Sequence, residues 1–147
     1  MKNALLFFII LWSVTCTAQT IGVVETGTYK ITGDLKPVKI YWESLLENQK
    51  NYSQLGDFTI RSGEDQLLKT TFYMLYAETT DGSAKMAGKL ELKNQVFTLT
   101  NDITGICICT GCPAACNPGM NDGNWICSGG CADKNCNKSV TARNSGQ

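Results

Sequence analysis

The sequence predicts an α+β fold: one helix packed on a four-stranded antiparallel meander, followed by a small Cys-rich, turn-rich C-terminal module. Three observations predict it. Apolar residues recur at helical spacing between Asp34 and Lys50, and the period changes to two from Phe58 onward. Seven of the eight cysteines crowd between Cys107 and Cys136, while Thr17 to Ile106 holds none. The chain divides accordingly into a signal peptide, 1–18, an α+β domain, 19–103, and the Cys-rich module with a loose polar end, 104–147. Its 147 residues suit one domain with a modest core.

Lys2 gives a positive start, Ala4 to Trp12 form an uncharged apolar run, and Cys16-Thr17-Ala18 puts small residues where a signal peptidase reads. The run falls well short of the roughly 20 residues a membrane-crossing helix needs, and no later segment approaches that length. Cleavage after Ala18 places a chain beginning at Gln19 in the periplasm or the medium. The alternative makes Cys16 a lipid-modified first residue and anchors the protein. Ser13-Val14-Thr15 fits that signal poorly, because it lacks the aliphatic and small residues preferred before the acylated cysteine. The Met-Lys-Asn start and Thr-Ala-Gln end of the leader resemble those of small secreted bacterial proteins.

Between Gly27 and Gly33, Thr28-Tyr29-Lys30-Ile31-Thr32 is a short alternating, β-branched strand whose partner the sequence leaves open. Asp34 then caps a helix whose first turn tolerates Pro37, and Leu35, Val38, Trp42, Leu45 and Leu46 fall on one apolar face. Lys39, Glu43, Glu47 and Lys50 lie mostly on the opposite, solvated side. Four period-two runs follow: Phe58 to Arg61, Thr70 to Glu78, Ala84 to Lys93 and Gln95 to Thr100. Turn residues separate them, with Ser62 to Asp65 after the first and Asp81-Gly82 as the strongest hairpin signal. In the third run Ala84, Met86, Gly88, Leu90 and Leu92 face a core, and the lysines between them face water. This order of one helix and four strands resembles cystatin-like proteins. The Gln-x-Val-x-Gly inhibitor loop of that family is missing, so the resemblance extends to element order alone. Phe72, Tyr73, Tyr76 and Phe97 are expected to fill the core alternately rather than form a binding surface.

The module reads Cys-x-Cys-x2-Cys-x3-Cys, ten residues, then Cys-x3-Cys-x4-Cys, among glycines and Asn-Asp pairs. With little apolar material of its own it needs cross-links. Disulfides among Cys107, Cys109, Cys112, Cys116, Cys127, Cys131 and Cys136 are the first reading for an exported chain. Seven cysteines leave one over, which offers an intermolecular disulfide. The alternative is zinc held by Cys109, Cys112, Cys127 and Cys131, all as thiolates, because the chain has no histidine. The run Cys109-x2-Cys112-x3-Cys116-x-Pro118 resembles a bacterial ferredoxin pattern but carries isoleucine at 106, where a cysteine is needed. Cys109-Thr110-Gly111-Cys112 has the spacing of a thioredoxin-type exchange site without the strand-to-helix setting that activates one. Lys138 to Ala142 is expected to close the chain as a strand against Thr104 to Ile108.

The 13 basic and 13 acidic residues balance, and the basic ones are scattered, so nucleic acid is not an expected partner. Without histidine, and with no Gly-x-Ser-x-Gly or phosphate loop, an enzyme is not expected and no catalytic residue is assigned. The function read from the sequence is that of a secreted or cell-envelope binding protein, in which Asn117, Met120 and Trp125 of the ten-residue loop contact an unknown protein or surface ligand. A competing reading packs Trp125 against the cystines. The alternative function is a thiol-based metal-binding or redox protein of the envelope.

Overall fold

The computed structural model describes residues 19–100, 105–112, 115–131 and 134–141, with residues 131 and 134 as backbone alone. The leader 1–18, Cys16 included, lies outside the described residues. Two strands precede the helix. β1 (Thr20–Glu25) and β2 (Thr28–Ile31) pair around Thr26-Gly27, both at positive φ, which gives the Tyr29 strand its partner. Helix α1 (Lys36–Asn48) begins one residue later than expected, with Leu35 rather than Asp34 at the N-cap position. The Asp34 carboxylate accepts the Lys36 N–H at 3.0 Å, Pro37 sits in the first turn, and Val38, Trp42, Leu45 and Leu46 are buried.

β3 (Thr59–Glu64), β4 (Thr71–Glu78), β5 (Ala84–Lys93) and β6 (Val96–Leu99) form the consecutive antiparallel hairpins that the alternation predicts. The meander does not stop there. One edge of β5 pairs with β4, and the other is shared. Leu90 to Lys93 take β6, while Ala84 to Gly88 take β7 (Ile106–Thr110). β6 also pairs with β1, which brings in β2, and β7 pairs with β12 (Asn137–Thr141). Among the described residues this makes one eight-stranded antiparallel sheet. It curls until Tyr29 of β2 stands edge-on to Tyr73 of β4 and Phe97 of β6, at 5.8 and 5.4 Å between ring centroids.

The predicted architecture is thus corrected. The described residues are mostly strand with one short helix, a curled antiparallel sheet rather than a helix on a four-stranded meander, and the cystatin-like element order falls with it. Alternation marks where strands are, but the partners of β1 and β7 are chosen by contacts far along the chain. The expected closing strand is present, with Val140 opposite Cys107 and Thr141 opposite Ile106.

The sheet has a core on each face. Inside the curl, Ile21, Leu75, Met86, Phe97, Ile106 and Ile108 pack around Trp42 and Leu46 of the helix. On the outer face, Phe72, Met74, Ala87, Cys107 and Cys109 lie under a hairpin of β8 (Asn117–Asn121) and β9 (Asn124–Ser128), which contributes Met120 and Trp125. A second correction follows for β5. From Ala84 to Gly88 both faces are buried, because the hairpin covers the side that carries Lys85 and Ala87. Small two-residue strands β10 (Gly130–Cys131) and β11 (Lys134–Asn135) pair beyond the hairpin.

Candidate functional site

The hairpin is held at its tip by one carboxylate. Ser62 to Asp65 read as a turn, but β3 runs on to Glu64 and the turn spans Asp65 to Lys69, closed by Asp65 N–H to Thr70 O at 2.9 Å. Asp65, only 2% exposed, accepts four backbone N–H groups. Leu67 and Leu68 donate from its own turn at 3.0 and 2.9 Å, and Asp122 and Gly123 of the hairpin tip at 3.0 and 2.8 Å. The Gln66 N–H adds a bond to Met120 O at 3.0 Å. Burial alone would raise the Asp65 carboxyl, and the four donors outweigh it and hold the pKa below the ordinary value. The local half of this arrangement is an Asx turn that the sequence could suggest. The half that reaches Asp122 and Gly123 spans 57 and 58 residues and leaves no sequence signal.

Under the hairpin lie the sulfurs. Ile106-Cys107-Ile108-Cys109 is a strand, so its isoleucines enter the inner core and its cysteines the outer one. Cys109 is bonded to Cys127 of β9, Cys116 to Cys136, and Cys112 is also in a disulfide. Among the described cysteines Cys107 is the free one, fully buried, so a second chain reaches its thiol only by opening the layer above it. Its Sγ lies 3.8 Å from Cys109 Sγ and 3.9 Å from Cys127 Sγ. Burial pushes this thiol up to about 12, against a smaller pull downward from Lys138. Lys85 on β5 and Lys138 on β12 both stand directly across from Cys109 and share its face of the sheet. Lys85 Nζ donates to Asn117 Oδ1 at 2.9 Å and Lys138 Nζ to Trp125 O at 2.8 Å.

Trp125 and Met120 are buried in this layer, Trp125 edge-on to Phe72 at 6.2 Å with its Nε1–H donating to Gly105 O. Asn117 is exposed, and its side chain joins Lys85 to Ala115 O. Of the four cysteines that could hold zinc, Cys109 and Cys127 are joined to each other, Cys112 is disulfide-bonded, and the Cys131 side chain is not described. The sulfurs that do converge are Cys107, Cys109 and Cys127, all within 4.8 Å of one another. The aromatic set divides by face. Phe97 and Tyr73 join the inner core, Phe72 lies under the hairpin, and Tyr76 is buried beneath the Arg61 guanidinium, 3.4 Å from the ring centroid.

Beside the clamp lies a groove of about 740 Å³ lined by Leu68, Phe72, Thr98 and Met120, with Lys89 as a cation and Asp65 and Glu91 as carboxylates. Leu67 and Leu68, 62% and 51% exposed, stand on the Asp65 turn, and of the two Leu68 lines the groove. Among the described residues no helix is long and apolar enough to cross a membrane. No protein-family model, characterised protein or solved structure matches this chain.

Proposed function

We propose that this chain is an exported, disulfide-stabilised binding protein without catalytic activity, secreted or periplasmic, whose contact surface is the groove beside the Asp65 clamp. The groove carries the reading. Two exposed leucines on the adjoining turn, of which Leu68 lines the groove, and a mixed lining of Phe72, Met120, Lys89, Asp65 and Glu91 suit a partner segment that is part apolar and part polar. The turn that presents those leucines is fixed by the Asp65 bonds, so little ordering is needed on binding. Trp125 and Met120 are buried in the hairpin layer, and the neighbouring Leu68 takes the contact role. Disulfides support the compartment, since they persist where thiols are oxidised.

A photo-crosslinking amino acid in place of Leu68 tests this in the protein's own host. A specific adduct from position 68, with none from the same substitution at exposed Ile40 on the helix, is the expected result. Equal labelling from both positions, or from neither, removes the groove from consideration. A thiol-based envelope role is the second reading, favoured by the three converging sulfurs. Zinc at that cluster requires the Cys109–Cys127 bond to be reduced first.

A further inference from the structure

Cys107 and Cys109 are two residues apart on one strand, so both sulfurs leave the same face of β7 and both reach Cys127 on the hairpin above. Only one of them holds it. Cys107 Sγ is almost equally far from the two bonded sulfurs, 3.8 Å from Cys109 and 3.9 Å from Cys127, so it stands beside their bond, and exchange needs its side chain to swing toward the line of that bond as well as to close in by roughly 2 Å. From this geometry we infer that the three sulfurs form an intramolecular thiol–disulfide exchange centre, in which Cys107 and Cys109 are alternative partners of Cys127.

The step balances within the molecule. Cys107 loses its proton and its thiolate attacks Cys127 Sγ. The Cys107–Cys127 bond forms as the Cys109–Cys127 bond breaks, and Cys109 leaves with the electron pair and takes up a proton. No outside oxidant or reductant enters. Lys85 and Lys138 stand across from the leaving Cys109 on the two neighbouring strands, with their ammonium groups bonded to Asn117 Oδ1 and Trp125 O. The attacking sulfur is held back, because its cross-strand neighbours are Ala87 and Val140 and burial outweighs the pull of Lys138, which keeps its thiol protonated at neutral pH. The closed molecule therefore holds the exchange slow. Deprotonation, or any lifting of the hairpin that admits water, releases it.

Cys109→Ser in the mature protein is the direct test. The exchange centre requires Cys107 and Cys127 to join in that variant, so alkylation under denaturing, non-reducing conditions leaves both unlabelled. Labels on both overturn the inference. Cys107→Ser, by contrast, should retain the resident Cys109–Cys127 bond. A second measurement does not depend on a variant folding. Wild-type protein is held at about pH 7, 9 or 11, quenched in acid, denatured and labelled with N-ethylmaleimide, and fragment ions across Ile108 locate the label. It should move from Cys107 alone to a mixture of Cys107 and Cys109, with a rate rising about tenfold per pH unit, as thiolate attack demands. A label that stays on Cys107, or that spreads equally to Cys112, Cys116 and Cys136, excludes a dedicated centre.

Discussion

The Asp65 carboxylate joins two turns that are distant in sequence, and it does so only while ionised. A protonated carboxyl has less to offer four N–H donors, so its depressed pKa is a statement about stability. The sign follows from that direction. The contribution is fully present above the unfolded value of about 3.9 and is lost as pH falls through the lower folded value. Acidification below about pH 4 should therefore loosen the hairpin tip, read as faster amide exchange at Asp122 and Gly123. Asp65→Asn should give fast exchange at those two amides at every pH and so abolish the acid step there. Asp81 is also held below the ordinary range, by Ser53 Oγ and the Ser83 N–H first, but it organises the β4–β5 turn and leaves the hairpin tip untouched. An acid step at Asp122 that survives Asp65→Asn would assign the clamp to another group.

Strand β5 shows how an element carries two layers at once. Its Gly88 faces the Trp42 side chain of the helix, and an added Cβ would lie 3.0 Å from Trp42 Cζ2, Leu99 Cδ1 and Ile106 Cδ1. Gly88→Ala should lower stability by about 1–3 kcal/mol through overpacking, read as a fall in the urea midpoint with unchanged slope. A neutral result would mean that the helix is free to move outward. The inner face of this strand was legible in Ala84, Met86, Gly88 and Leu90 because alternation records which residues avoid water. Its outer face was not, since Lys85 looks solvated until Asn117 and the hairpin cover it. The same limit governs the site. Ile-Cys-Ile-Cys does announce a strand with both cysteines on one face, but which of the two pairs with Cys127 depends on where β9 lands across the sheet. Spacing contains nothing of that.

Across the whole molecule the two cores differ in what holds them. The inner one gathers residues from Ile21 to Ile108 around the helix and contains no cystine, so its stability rests on apolar burial. The outer one contains four buried cysteines among few apolar side chains, and its hairpin reaches the sheet through Cys109–Cys127. That bond and Cys116–Cys136 close loops with separations of 18 and 20 residues, each adding roughly 3 kcal/mol by restricting the unfolded chain. Without them the outer layer has too little core to stay down. Reduction should therefore unfold the molecule in two stages. Amides of β8 and β9 should lose their exchange protection first, while those of α1, β4 and the Leu90 to Lys93 half of β5 keep it. Trp125 would become accessible to a quencher before Trp42. Simultaneous loss of protection in both layers would mean that the hairpin is part of one cooperative unit with the sheet, and that the cystines stabilise the inner core as well as the layer they lie in.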